Sequence, residues 1–103
     1  MYAVIFEVTP NPARAQEYFD LAADLRPDLE QIDGFISIER FQSLADQDRY
    51  VSLSFWRDEA AIAKWRGHLG HQAAQDAGKA GIFKDFRIRV AKVERDYALS
   101  DRV

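Results

Sequence analysis

The chain has 103 residues, 48% of them hydrophobic, and its 14 basic and 17 acidic residues give a net charge of −3. This length fits one domain, and seven Phe, four Tyr and two Trp can pack a core, which excludes a disordered protein. The negative charge argues against nucleic acid or anionic membrane surfaces as partners. None of the apolar runs is long enough to span a bilayer. The lack of cysteine excludes disulfides and thiolate metal sites. Because Met1 leads into a strand pattern without a secretion signal, we expect a cytoplasmic protein.

The first third of the sequence predicts a strand followed by a helix. Apolar and branched residues alternate over Tyr2–Val8, as in a buried strand. Asn11 and Pro12 then form a helix start, in which Asn caps free amides and Pro occupies the first turn. Apolar residues three and four apart continue this helix to about Arg26. Pro27 removes a helical hydrogen bond, so we expect a kinked or separate last turn over Asp28–Gln31.

The middle of the sequence predicts a hairpin and a second helix. Residues alternate over Phe35–Gln42 and again over Tyr50–Trp56, and the polar stretch between the two runs is short enough for an antiparallel hairpin. Asp58 then caps a helix with apolar residues at helical spacing. Glycines at 67 and 70 predict a break, after which a short resumed helix ends at Gly78.

A long last strand is predicted over Phe83–Tyr97, followed by a polar tail over residues 98–103. The complete order is β-α-β-β-α-β, which with right-handed crossovers predicts a ferredoxin-like α+β domain over residues 1–97. Its four-stranded antiparallel sheet carries both helices on one face. The other face still contains large apolar residues, so we expect a homodimer to cover it.

Five residues have side chains suited to a site, and each has a simpler interpretation as well. Trp65 lies on the apolar stripe of the second helix, which fits either core packing or a pocket wall. His68 and His71 are three apart, but a third ligand at recognisable spacing is missing, so we predict no metal site. His71 alone could be an axial haem ligand or a general acid/base. For Arg87 and Arg89, ion pairs within the sheet or dimer contacts are favoured over an anionic substrate.

Common catalytic and binding motifs are missing. The sequence contains no nucleophile elbow, Walker loop, dinucleotide fingerprint or zinc-protease helix. The segment 49–55 is similar to the aromatic third strand of RNA-recognition domains but lacks the glycine of that motif. Hydrolase, nucleotide-binding, metalloprotease and RNA-binding functions are therefore disfavoured.

Taken together, segments spread over nearly the whole chain resemble the antibiotic biosynthesis monooxygenase domain. They are Gly34-Phe35, Glu39-Arg40-Phe41, the strand Tyr50–Trp56, Trp65-Arg66, His71-Gln72, Gly78, the strand segment Arg87–Ala91 and Arg95-Asp96-Tyr97. The resemblance implies a dimeric α+β barrel in which each subunit has a cleft between its sheet and its helices. It is less specific about the reaction, because the domain occurs in cofactor-independent quinone-forming monooxygenases, in haem-degrading enzymes and in many members without a known function.

Two residues match positions that the family uses. Trp65 matches the helix Trp that lines the cleft, and His71 matches the His that binds haem in the haem-degrading members. Those members also carry an Asn in the first strand, where this chain has Glu7 and Val8, and Asn11 is better explained as a helix cap. Haem binding or degradation is therefore ranked behind the leading hypothesis, which is a monooxygenase that needs no cofactor.

The leading hypothesis is a monooxygenase without cofactor that acts on an electron-rich quinol-like or anthrone-like molecule. Catalysis is assigned to His71 as base or hydrogen-bond partner, Trp65 as aromatic wall and Arg87 as stabiliser of developing oxyanion charge, a role that Arg89 could also fill. The remaining substrate-binding residues are predicted to be Phe55, Ile62, His68 and Arg89. A third hypothesis is a dimeric ligand-binding domain without catalytic activity.

Overall fold

The computed structural model describes residues 1–67 and 81–101. Its strands are β1 (Tyr2–Pro10), β2 (Phe35–Gln42), β3 (Tyr50–Trp56) and β4 (Phe83–Lys92), and its helices are α1 (Ala15–Glu30) and α2 (Glu59–Arg66), with a 3-10 turn at Pro12–Arg14 before α1. The strands pair antiparallel in the order β2-β3-β1-β4. This topology confirms the ferredoxin-like α+β fold. The predicted resumed helix up to Gly78 lies outside the described residues.

Helix α1 continues through Pro27 as one element to Glu30, so of the two forms predicted for Asp28–Gln31, a kinked or a separate last turn, the separate turn is wrong. Pro27 is exposed, which lets water take the place of the hydrogen bond that its ring removes. Leu29, 4% exposed, anchors the last turn in the core, and Arg26 Nε donates to Glu30 Oε1 at 2.9 Å across the proline. Tertiary packing therefore keeps the helical path.

Strand β4 ends at Lys92, five residues earlier than the predicted end at Tyr97. Its last register partner is Tyr2 of β1, and the Val93 amide then donates to the Met1 carbonyl at 3.0 Å. The chain beyond Val93 has no β1 residue opposite it, so its apolar and charged residues cannot continue the ladder.

The two faces of the sheet differ in what covers them. The side chains on the helix face are Tyr2, Val4, Phe6, Val8, Phe35, Ile38, Arg40, Gln42, Tyr50, Ser52, Ser54, Trp56, Phe86, Ile88, Val90 and Lys92. The opposite face, called the open face below, carries Ala3, Ile5, Glu7, Thr9, Ser37, Glu39, Phe41, Val51, Leu53, Phe55, Asp85, Arg87, Arg89 and Ala91. The core lies under the helices in two clusters of buried residues, one of Leu29, Trp56, Ala61 and Ile62 and the other of Val8, Tyr18 and Ile82. Both predicted features of the sheet, two helices on one side and apolar residues on the other, are confirmed.

Among the residues that the structure describes, none of the helices is long and apolar enough to cross a membrane.

Candidate functional site

The residues predicted for one site lie on two sides of the sheet. Trp65 and Ile62 belong to α2 and lie on the helix side. Phe55, Arg87 and Arg89 point from β3 and β4 to the open face. His68 and His71 lie outside the described residues, so their predicted roles stay predictions.

The start of α2 is held by a network of charged groups. Asp58 is the N-cap, and its Oδ1 accepts from the Ala61 amide at 2.9 Å. Arg57 donates through Nη1 and Nη2 to the two carboxylate oxygens of Asp33 at 3.0 and 3.1 Å, and through Nε to Asp58 at 3.0 Å. The pKa of Asp58 lies below its usual value, first because of the Ala61 amide and then because of Arg57, and Arg57 likewise lowers the pKa of Asp33. The network joins the end of α1 to the start of α2.

A glycine allows the turn before β2 to pass directly beside α2. Gly34 has a φ of 96°, and a Cβ on it would come within 2.6 Å of the Ala61 Cβ. The Gly34 carbonyl accepts from the Arg57 amide at 2.7 Å. Only glycine combines this backbone conformation with so close an approach, so the position of α2 depends on residue 34.

Within α2, Ile62 and Trp65 differ in how much surface they retain. Ile62 is 7% exposed and belongs to the cluster with Leu29 and Trp56, so it has almost no surface left for a ligand. Trp65 is partly buried and packs against the same cluster. A partly buried indole fits both predicted roles, a core residue on one side and a pocket wall on the other.

The helix face has an exposed apolar strip, which we call the β4 strip, formed by Phe86, Ile88 and Val90. These side chains are 56%, 50% and 48% exposed, although they point to the side on which both helices pack. Their register partners on β1, Val8, Phe6 and Val4, are buried or partly buried. The described helices thus cover β1 but leave β4 open, and the sheet has a ledge beside its core.

Aromatic rings form the floor and end of this ledge. Phe86 meets Phe6 with ring centroids 5.9 Å apart and Phe83 at 5.9 Å, and Phe6 meets Phe83 edge-on at 5.8 Å. Tyr18 backs the group, its ring 5.5 Å from Phe83. Sequence reasoning recognised that Phe86, Ile88 and Val90 share a face but did not assign them to a site, because alternation does not reveal which residues the helices leave uncovered.

Behind this group, Tyr18 is buried and covered by a cation. The Arg40 guanidinium carbon lies 5.2 Å from the Tyr18 ring centroid and 5.5 Å from that of Phe19. Burial raises the pKa of the Tyr18 phenol, so the group is neutral at physiological pH. Tyr18 is therefore a packing residue with a polar tip and not a base.

On the open face, Arg89 forms an ion pair within the sheet. Its Nη1 donates to Glu7 Oε1 at 2.9 Å, across the β1–β4 pair. This confirms the favoured interpretation of Arg89. Arg87 lies directly opposite Glu7 in the register, but its guanidinium has no ion-pair partner among the described residues.

In the described part of the chain, no cluster of three or more His, Asp or Glu side chains is placed to bind a metal ion.

With this geometry in place, the comparison with known proteins identifies the family. The family model of antibiotic biosynthesis monooxygenases matches residues 1–77. The chain belongs to the antibiotic biosynthesis monooxygenase family. This confirms the resemblance seen in the sequence.

Two known proteins have sequences similar to that of this chain. It is 44% identical over 93 residues to the jasmonate monooxygenase of Pyricularia oryzae, an alignment that covers 90% of this chain but 43% of that protein. It is 35% identical over 101 residues to YqjZ of Bacillus subtilis, covering 91% of this chain and 80% of YqjZ. The chain therefore spans less than half of the length of the Pyricularia protein.

Solved structures share the fold. A family protein of Deinococcus radiodurans superposes with a TM-score of 0.86 at 16% identity, covering 98% of this chain and all of that one. Rv0793 of Mycobacterium tuberculosis gives 0.84 at 16% identity over 94% and 98% of the two chains. SnoaB of Streptomyces nogalater, a cofactor-independent oxygenase, gives 0.80 at 15% identity over 97% of both.

One expectation taken from haem-degrading family members can be compared with the structure. Those members carry an Asn in the first strand; here Glu7 points to the open face and Val8, 1% exposed, is core. Asn11 accepts a hydrogen bond from the Ala13 amide at 3.2 Å, as the predicted cap. Strand β1 therefore brings no amide side chain to the helix face.

Proposed function

We propose that this protein is a small-molecule monooxygenase that needs no cofactor and acts on an electron-rich aromatic substrate of the quinol or anthrone type. The observation that carries the proposal is the β4 strip, an exposed apolar ledge that ends in packed aromatic rings on the helix side of the sheet. SnoaB, a cofactor-independent oxygenase with the same fold, supports it. Family membership supports the reaction class.

A flat aromatic molecule suits this ledge. An edge-on contact with Phe6 and a tilted contact with Phe83 hold the Phe86 ring, and offset or edge-to-face contact with a further ring is favourable. In the proposal, Trp65 of α2 is the opposite wall. Enclosure between these apolar groups would remove water from the substrate, which strengthens every electrostatic interaction at the reacting atoms.

The proposed reaction needs only the substrate, oxygen and a base. His71 would accept a proton from an activated CH₂ group, and the carbanion would transfer electrons to O₂ and form a hydroperoxide at that carbon. Loss of water then leaves a carbonyl, so that CH₂ and O₂ give C=O and H₂O. The substrate supplies all four electrons. Arg87 and Arg89 are not proposed for this step, since they lie on the open face of the same protomer.

A second candidate substrate is an apolar acid. The Pyricularia relative, 44% identical, is named for jasmonate, which is a carboxylate on an apolar skeleton. Lys92 follows the β4 strip on the helix face, opposite Tyr2, and is exposed. A cation at the end of an apolar strip suits such a molecule.

We also propose that the protein is a homodimer that covers the open face and that it works in the cytoplasm as a single domain over residues 1–97. Phe41 is 47% exposed on that face, and Ile5, Val51, Leu53 and Phe55 are only partly buried. A specific interface would bury about 1,200 Å² or more in total. Sedimentation at micromolar concentration tests this, and a monomer there would contradict it.

Oxygen consumption tests the proposed activity. Wild type is given a panel of anthrones, hydroquinones and jasmonate-like acids, and labelled O₂ is traced into one oxygen of the product. Phe86→Ala should lower kcat/KM about tenfold, the effect of losing about 1.4 kcal/mol of contact. Leu44→Ala, at a fully exposed residue of the β2–β3 loop, is the control and should change nothing.

The outcomes separate the alternatives. If wild type consumes oxygen fastest with the jasmonate-like acids, and Lys92→Met lowers that rate, the second substrate class is favoured. A Soret band on titration with haem, without oxygen consumption, favours the haem hypothesis. Neither signal with any compound favours a ligand-binding domain without catalysis and would contradict the proposed reaction.

A further inference from the structure

The β4 strip differs in chemistry at its two ends. At one end, the Phe86 ring lies 5.9 Å from the rings of both Phe6 and Phe83. At the other end, Val90 is followed on the same face by Lys92. A strand rises about 3.4 Å per residue, so Phe86 and Lys92 lie about 20 Å apart along β4. A long apolar surface that begins at aromatic rings therefore ends at a cation.

Tyr2 of β1 lies beside this cation. Tyr2 and Lys92 are register partners, and both point to the helix face. The next pair along the strands forms a backbone hydrogen bond, from the Val93 amide to the Met1 carbonyl at 3.0 Å. Tyr2 and Lys92 are therefore a non-hydrogen-bonded pair, the kind in which opposing side chains lie closest. Tyr2 is partly buried against the core and Lys92 is exposed, so a phenol and an ammonium group lie next to each other at the end of the strip.

Both polar groups are available to a ligand. Within residues 1–67 and 81–101, neither the Tyr2 hydroxyl nor the Lys92 ammonium group has a hydrogen bond or an ion pair with another side chain. Glu94, the next acidic residue, lies beyond the last register pair of β4 and forms no ion pair with Lys92. The other charged residues of β4 lie elsewhere: Asp85, Arg87 and Arg89 on the open face, and Lys84 before Phe86.

We propose that Lys92 and Tyr2 bind a carboxylate of the substrate and so orient the apolar body of that molecule along the β4 strip toward Phe86. This inference rests on the proposed function and adds to it an acidic group on the substrate and a direction of binding. A hydrogen bond from an ammonium group to a carboxylate is stronger than a neutral one, and the Tyr2 hydroxyl can donate to the second oxygen.

The length of the strip makes the site selective for larger acids. Ile88 lies four residues from Lys92, about 14 Å along the strand. A short acid such as benzoate, bound at Lys92, leaves most of the strip uncovered. An acid with a long or fused-ring body also covers Val90 and Ile88, and each apolar contact adds to its affinity.

Binding without turnover tests the proposal. Naphthalene-terminated alkanoic acids of increasing chain length, and their methyl esters, are titrated under nitrogen and followed by fluorescence. Wild type should bind each acid about tenfold more tightly than its ester, and affinity should rise with chain length until the ring reaches Phe86. Lys92→Met should abolish the preference for acids, and Lys92→Arg should keep it. Tyr2→Phe, which keeps the ring that packs on the core, should lower affinity for the acids about threefold and leave that for the esters unchanged.

A matched control is available on the same strand. Lys84→Met makes the same charge change at the opposite end of the strip and should leave the preference for acids unchanged. A loss of preference with Lys84→Met in place of Lys92→Met would overturn the direction of binding. Equal affinity of wild type for acids and esters would overturn the carboxylate site, whereas oxygen consumption with neutral anthrones would still support the proposed reaction. Failure of acids and esters alike to bind would overturn both this inference and the substrate site on which it rests.

Discussion

Trp65 and Arg87 lie on opposite sides of the same four-stranded sheet. Trp65 packs on the helix side against the cluster that contains Trp56, whereas Arg87 lies opposite Glu7 on the open face. The two residues therefore cannot act on one small molecule within a protomer. Trp65 remains with the β4 strip as part of the proposed substrate site, and Arg87 belongs to the proposed dimer interface.

Replacing Trp65 with Phe should weaken binding more clearly than it weakens the fold. The indole is only partly buried, so we expect a loss of about 1 kcal/mol of unfolding free energy and about tenfold in affinity for a flat aromatic ligand. Denaturant midpoints and ligand titration measure the two effects. Trp56→Phe is the control: at 1% exposure it should cost more stability and leave affinity unchanged. A large stability loss for Trp65→Phe with unchanged affinity would assign Trp65 to the core alone.

The two histidines should differ in their effect on the reaction. His71→Ala should lower kcat at least 100-fold if His71 is the base, because a positioned base contributes roughly 10²- to 10⁴-fold. His68→Ala, at a predicted substrate-binding residue, should raise KM but lower kcat no more than about twofold, because it removes binding and not the base. Oxygen consumption measures both variants, and Soret titration of the same pair tests the haem alternative. Equal losses, or a loss with His68→Ala alone, would refute the assignment to His71.

Gly34→Ala should destabilise the fold by roughly 1–3 kcal/mol, because it combines a strained backbone with a clash. The φ of 96° disfavours a side chain, and the new Cβ would lie 2.6 Å from that of Ala61. Gly67→Ala is the matched control, because a Cβ on Gly67 would lie 3.6 Å from its nearest neighbour, the Ala63 carbonyl oxygen. The φ of Gly67 is −83°, which any residue can adopt. Adding Ala61→Gly should recover part of the loss by removing the clash. Thermal unfolding of the four proteins decides, and equal effects at residues 34 and 67 would contradict the argument.

The Asp58 cap should make stability dependent on acid pH. The pKa of Asp58 lies below the usual 3.8 in the folded protein, so its contribution is complete above that value and is lost as pH falls through the lower folded pKa. Unfolding free energies of wild type and Asp58→Ala should therefore differ at pH 6 and converge as the pH falls through the folded-state pKa of Asp58. Asp48→Ala, at an exposed loop residue whose carboxylate caps no helix, is the control for the loss of a surface carboxylate. A gap between wild type and Asp58→Ala that persists at low pH would mean that the carboxylate is not the stabilising group.

Local patterns in the sequence were sufficient for most elements. The bounds of β2 and β3 match the alternating runs, and the caps Asn11 and Asp58 accept the predicted backbone hydrogen bonds. These features depend on neighbouring residues, whose side-chain chemistry and spacing are visible in the sequence. The family was recognisable for the same reason, because its segments are short and local.

The tertiary structure decided what depends on distant partners. Strand β4 ends at Lys92 because β1 begins at Tyr2, and α1 continues past Pro27 because Leu29 is held in the core. Alternation separates the residues of a strand into two sets but does not say which set the helices cover. Only the packing of α1 and α2 on the side of Val8 leaves Phe86 at an exposed ledge and sends Arg87 to the open face, since burial is a property of the assembled layers.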